Sequence, residues 1–241
     1  MIYSDFLTQL SSFIQRKDVT KANLDFFVNT AKNELQLGQD FNFMKTTSPP
    51  LAYPAKYGTG VSLPLDFKAF DGDYAVKFQV PGGCEVPLKG TSTAEARRRK
   101  YQYTQQWGSE ENLQWTGIVP APNPPALVVA PTLNLNDIEY YLEWKNNLAT
   151  LFIFPEALGA SLIVQYKAWI LDYINTDSQR EDFLLNKAPH VLLWGALRVQ
   201  NRFAKEEQRI PIDNQAAAQA MTTLFEYDAK LASQGDNMDL D

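Results

Sequence analysis

Apolar residues recur along this chain with two different periods, and the places where the period changes divide it. Ile2, Phe6, Leu7, Leu10, Phe13 and Ile14 return at helical spacing and predict a short amphipathic helix that ends at Arg16-Lys-Asp18. Thr20 is placed to cap a second helix, with Leu24, Phe27, Val28, Ala31 and Leu35 as its stripe and Gly38 as its stop. Two helices joined by a short link bury such stripes against each other. From Phe41 to Gly60 the pattern lapses among Ser48-Pro-Pro50, Pro54, Gly58 and Gly60, which reads as an irregular surface crossing.

The period then drops to two. Tyr74, Val76, Phe78 and Val80 alternate with Ala75, Lys77 and Gln79 and predict a half-buried strand. Pro81-Gly-Gly83 turns the chain into a short strand, Glu85–Leu88, whose Pro87 suits a sheet edge. Thr91-Ser-Thr93 can cap a short helix over residues 94–103. A Pro-rich connector from Pro120 to Pro131 follows, with Leu127–Val129 as one further candidate strand.

The stretch from Ile138 to Phe203 is the densest in signal. Glu139–Trp144 turns at Lys145-Asn-Asn147 and returns as Leu148–Phe154; Ser161–Trp169 adds a third alternating segment. Tyr140, Leu142 and Trp144 share one face of the first strand, and Glu139, Tyr141 and Glu143 the other, which leaves the second face free for a neighbouring subunit. Asp177 and Ser178 are cap candidates ahead of a helix over 182–187, and Pro189 opens the next, through Phe203. An Ala-rich helix from Asp213 to Ser233 comes after Pro211, and the polar end has little to pack.

The expected fold class is therefore α+β. The expected divisions are an N-terminal helix pair (1–40), a central antiparallel β-rich region with a short helix near 94–103 (41–175), C-terminal helices (176–232) and an extended C-terminal tail (233–241), working as one assembly unit.

Composition narrows the chemistry more than it suggests any. The chain has 241 residues, is 45% apolar and holds one cysteine, Cys84, and one histidine, His190. No disulfide framework and no ordinary zinc set can be built from these. The N-terminus lacks the basic segment of a signal peptide, and no apolar run approaches the roughly 18 residues of a membrane span, so a soluble protein of a reducing compartment is expected. No phosphate-binding loop, dinucleotide fingerprint or nucleophile elbow is present. Glu139 and Glu143 stand about 13 Å apart along one strand, too far for a paired-carboxylate hydrolase. We expect no catalytic residues, no metal and no cofactor.

The formal net charge is −6, of which −5 falls between Lys205 and the end. That balance argues against tight phosphate binding as the main task. The one cationic feature is Arg97, Arg98, Arg99 and Lys100. It reads either as a solvated, ion-paired face or as a lining that touches DNA or an acidic partner.

These elements together resemble the head-to-tail connector adaptors of tailed bacteriophages. The likeness rests on the N-terminal helix pair and on Leu63-Pro-Leu-Asp66 leading into the β-region. It continues through Leu151-Phe-Ile-Phe-Pro155 followed by Leu162-Ile-Val-Gln-Tyr166, and through Asp182-Phe-Leu-Leu185 and the helix from Pro189 to Phe203. The resemblance implies a structural virion protein of the head–tail neck, made in the bacterial host cytoplasm. It implies a ring, usually twelve-fold, below the portal protein that extends the DNA channel and offers a platform for tail or neck proteins. No membrane partner is implied. It also implies that a C-terminal arm docks on the portal. Here that arm would be Ser233, Gln234, Gly235, Asp236, Asn237, Met238, Asp239, Leu240 and Asp241. The alternatives are another phage neck or tail structural protein, and a non-enzymatic ligand- or carbohydrate-binding β-module suggested by Trp107, Trp115, Trp144 and Trp169.

Overall fold

A computed structural model describes residues 1–14, 18–54, 58–79, 85–107, 114–115, 132–133, 138–145, 148–154, 161–174, 176–206 and 208–235. The fold is α+β, in two compact units. One is helical and joins residues 1–44 to 169–241; the other is the β-unit, 45–168. The chain thus enters the β-unit after Met44 and returns after Ala168, and the helices at its two ends share one core. The turn at 81–83, Cys84, Leu127–Val129 and the connector from Pro120 to Pro131 lie outside the described residues.

In the helical unit, α1 (Tyr3–Ile14) and α2 (Lys21–Gly38) form where their stripes predict, except that in α1 Tyr3 is buried and Phe13 is exposed. Thr20 caps α2 in a reciprocal box with Asn23. A single 3-10 turn, Asn42–Met44, follows; Phe41 and Met44 are buried in the core, so this piece is not surface crossing. Phe43 stacks on Phe183 with ring centroids 4.2 Å apart, and Asp228 accepts hydrogen bonds from the Asn42 and Phe43 amides at 2.7 and 3.1 Å.

Three helices complete the unit: α4 (Phe183–Lys187), α5 (Pro189–Ala204) and α6 (Ile210–Gly235). The cap of α4 is Asp182, which accepts from the Leu185 amide at 3.0 Å; Asp177 and Ser178 lie in the turns before it. Pro211 does not exclude itself from α6. It sits in the first turn, where a missing N–H costs nothing.

Residues 169–174 are extended yet have no strand beside them. Asn29 and Gln36, at i and i+7 on α2, take the place of one for the backbone, and Lys32 between them holds a side chain of the segment. The Asn29 amide both donates to Tyr173 O and accepts from Tyr173 N, each at 2.7 Å. Gln36 accepts from Ile170 N, and the buried Lys32 pairs with the Asp172 carboxylate. Burial pushes the Lys32 ammonium below its ordinary pKa, and Asp172 offsets part of that.

The β-unit is organised on its last strand. Its strands are β1 (Lys45–Thr47), β2 (Leu51–Ala52), β3 (Val61–Ser62), β4 (Phe67–Phe70), β5 (Val76–Gln79) and β6 (Glu85–Gly90). Then come α3 (Thr93–Trp107), a two-residue parallel pair β7 (Gln114–Trp115) and β8 (Thr132–Leu133), β9 (Glu139–Lys145), β10 (Leu148–Phe154) and β11 (Ser161–Ala168). The first half of β11 pairs with β2 on one side and β5 on the other; its second half pairs with β1 and β4.

From β5 the sheet continues through β6, β9 and β10 to β3. All its pairings are antiparallel except β6 with β9, which meet at Lys89↔Glu139 and Gly90↔Tyr140. The strand holding Pro87 is therefore not an edge, although Pro87 itself faces a partner only in β5.

Four residues, Leu63 to Asp66, separate β3 on β10 from β4 on β11, although β5, β6 and β9 lie between those two strands in the sheet order. So short a link curls the sheet. The curl closes over Tyr53, Leu63, Phe67, Val76, Leu151 and Val164, among others. Gly60, at φ +66°, lets the chain pass this point, since a Cβ there would lie 2.8 Å from the Phe152 ring.

At Gly195 of α5 a Cβ would approach the Ala31 Cβ of α2 to 2.8 Å. Gly195→Ala should gain about 1 kcal/mol of helix propensity and lose roughly 1–3 kcal/mol to overpacking. We expect a net loss, partly restored by adding Ala31→Gly, read as shifts in the urea midpoint.

Candidate interaction site

The cationic run lies on α3, and the sheet explains where that helix sits. After the parallel contact of β6 with β9 the chain keeps alongside β9: Thr91 N donates to Tyr140 O at 2.8 Å, and Thr93 Oγ1 to Leu142 O at 2.9 Å. Ser92 Oγ accepts from Glu95 N at 3.2 Å and caps the helix. α3 then covers the outer face of β9 and β10, with Ala96 buried on Tyr141, Phe152 and Phe154. Tyr141 and Phe152 stack with centroids 5.2 Å apart.

This arrangement gives the arginines partners from the chain itself. Arg97 pairs with Glu143 at 3.0 Å, and Arg99 bridges Glu95 and Glu139 at 3.0 and 2.9 Å. Arg98 holds Glu95 through two bonds of 3.0 and 2.7 Å. Hydrogen bonds from Arg98 and Arg99 keep the Glu95 carboxyl down at about 2. Lys100 also has an interaction within the chain. Three guanidiniums thus face three carboxylates, with Arg97 and Arg98 still largely exposed.

The face carrying Glu139, Tyr141 and Glu143 is consequently not open, as the strand alternation by itself suggested. Glu139 and Tyr141 are buried beneath α3, and Glu143 is held by Arg97. On the other face Tyr140 is buried, whereas Trp144, at the strand's end, is 59% exposed. Of the expected C-terminal arm, Ser233, Gln234 and Gly235 belong to the last turn of α6. Asp236, Asn237, Met238, Asp239, Leu240 and Asp241 lie outside the described residues.

Two short motifs far apart in sequence meet in the β-unit. Leu63 is buried, and its amide donates to Ala149 O at 2.9 Å. Asp66 then accepts a hydrogen bond of 3.1 Å from the hydroxyl of Tyr166, the last residue of Leu162-Ile-Val-Gln-Tyr166. Burial, with Asp66 adding to it, pushes the Tyr166 hydroxyl up to about 12.

A cleft of about 430 Å³ that the sequence pattern did not disclose opens between α1, α5 and α6, with Phe13, Trp194, Leu197 and Ile212 among its walls. Phe13 and Trp194 meet edge to face at 6.1 Å. At its base Asn201, 2% exposed, donates through Nδ2 to the Asp213 carboxylate, while its Oδ1 is buried without a partner. The one hint in the sequence was a large apolar residue, Phe13, at the rim of its helical stripe. His190 is exposed in the first turn of α5. Among the described residues no group of three His, Cys, Asp or Glu side chains could hold a metal, and no helix is long and apolar enough to cross a membrane.

The chain matches no model of a known protein family, and no curated protein matches it.

Two outcomes are expected here. Tyr166→Phe removes a partly buried hydrogen bond and should cost about 1 kcal/mol at neutral pH. Because the folded hydroxyl titrates near 12 against an ordinary 10, its stabilisation is present below pH 10 and disappears as pH rises through 12. The variant's urea midpoint should therefore fall less over that window. Separately, Arg99→Gln should lower the melting temperature more than Arg98→Gln, since only Arg99 holds the buried Glu139.

Proposed function

We propose that this chain is a non-enzymatic structural adaptor of a tailed-phage virion. In this reading it forms a ring, twelve-fold by resemblance, beneath the portal protein. It extends the DNA channel there and presents a platform to tail or neck proteins. It is made in the bacterial host cytoplasm and resides in the neck of the particle, with no cofactor, metal or membrane.

The observation that carries this reading is the joining of its two motif elements. Leu63-Pro-Leu-Asp66 and the strand ending in Tyr166 resemble adaptor elements separately, and in this fold they are two halves of one clamp. The charge distribution supports the same role. The β-unit carries eleven acids and eleven bases, whereas the helical unit carries seventeen acids and eleven bases, so the whole −6 belongs to the helical unit. A channel wall must let DNA slide, and arginines already compensated by carboxylates grip phosphates weakly. The residues after α6, Asp236 to Asp241, are polar and acidic, which suits an arm that docks on a partner.

The test is assembly. Electron microscopy and mass measurement of the chain mixed with a portal protein should show rings on the portal; a chain that stays monomeric with every portal tried sinks the reading. Deleting residues 233–241 should weaken portal binding by roughly tenfold or more, about 1.4 kcal/mol. Unchanged binding would remove the arm from the proposal.

A further inference from the structure

The helical unit holds a second, smaller cleft, and the residues that follow α6 match it in reach, charge and side-chain size. We propose that residues 236–241 turn back along α6 and seat Leu240 in this cleft, on the same copy.

The cleft lies between α4, α5 and α6, with Phe183, Val191, Leu224 and Tyr227 as apolar walls. Its volume of about 120 Å³ is well under the roughly 300–1,000 Å³ of a small-molecule site and suits a single side chain. Lys187 and His190 stand exposed at its rim. Along α6, Lys230 and Leu231 continue the line of Thr223, Leu224 and Tyr227 toward the helix end, at steps of three and four. Lys187, His190 and Lys230 have no ion-pair partner among the described residues. Glu226 lies about 100° round the helix from Tyr227, off this line. An apolar notch beside unpaired cations selects an apolar side chain carried among carboxylates.

The segment after α6 has this character. Residues 236–241 read Asp-Asn-Met-Asp-Leu-Asp. In an extended chain Met238 and Leu240 fall on one side, toward the helix, and Asp239 and Asp241 flank them within reach of flexible lysine stems.

The distances agree. From Gly235 back to Tyr227 is about 12 Å along the helix, and back to Leu224 about 16 Å. Leu240 stands five residues beyond Gly235, and five extended residues span at most about 18 Å. Leu240 therefore arrives at the cleft even after a reversal has used one residue, and Met238 then lies near Leu231. A tether this short holds its guest at an effective concentration in roughly the millimolar range, so a contact too weak to form between copies forms within one. Only the purpose of the contact rests on the adaptor reading: there it keeps the arm on its own copy until a portal displaces it.

The isolated full chain suffices for the test. In a Cys84→Ser background, Asp241→Cys is combined with Thr223→Cys at the rim of the cleft, or with Thr222→Cys on another face of the same turn. Disulfides formed within one copy under mild oxidation, at low protein concentration, are counted by mass. We expect closure at least tenfold faster with Thr223→Cys than with Thr222→Cys. Adding Leu240→Ser or Lys187→Glu should remove most of that excess. Thr222, Thr223 and Lys187 are exposed, and thermal melts of each variant check the fold. Equal rates for the two pairings, an excess that survives either substitution, or a disulfide found only between copies would overturn the contact. A chain that closes as expected yet assembles on no portal leaves the contact standing and removes the adaptor reading.

Discussion

Everything in the β-unit depends on one strand meeting its backbone hydrogen-bonding obligations on both edges. β11 is eight residues long, and its neighbours are four short pieces of two to four residues each. None of those pieces could persist alone. Where the neighbours change, at Val164 and Gln165, the groups between strands are met individually: Ser48 Oγ accepts from Val164 N, and Ser48 N donates to Val164 O. On the other edge Asp71 N donates to Gln165 O, and Gln165 N to Ala75 O. A buried strand tolerates no gap in this ladder. The irregular segments around Ser48 and Asp71 are thus fixed as firmly as the strands they join.

The same demand shapes the helical unit in another way. An extended segment laid on a helix has no ladder, so its carbonyls and amides must find side chains. Asn29 and Gln36 of α2 supply them at Tyr173 and Ile170, Arg180 supplies the carbonyls of Leu171 and Asp172, and Lys32 holds the Asp172 carboxylate, which explains why an amphipathic helix carries polar residues on a buried face. Close approach of α2 and α5 at Ala31 and Gly195 then seals the core around them. Helices from the two ends of the chain complete one another, so neither pair is an independent domain.

α3 joins the charge pattern to the architecture. Its arginines lie against the strand face that carries Glu139 and Glu143, and the helix covers by packing what its cations neutralise by pairing. The most prominent charge run in the chain is therefore largely engaged in holding an element in place.

The sequence alone determined the α+β class, the stripes of α1 and α2 and the alternation of β5, because periodicity is local and burial selects it residue by residue. It also disclosed Thr20 and Pro189 as helix starts, since capping involves only neighbouring backbone groups. What it could not contain was partnership across distance. The covering of Glu139, Tyr141 and Glu143 by α3, the parallel contact of β6 with β9 and the Asp66–Tyr166 clamp join residues about 40 to 100 positions apart, and the oxygen of Asn201 is left without a mate. Such pairings follow from which surfaces must be removed from water together, and only the folded chain decides that.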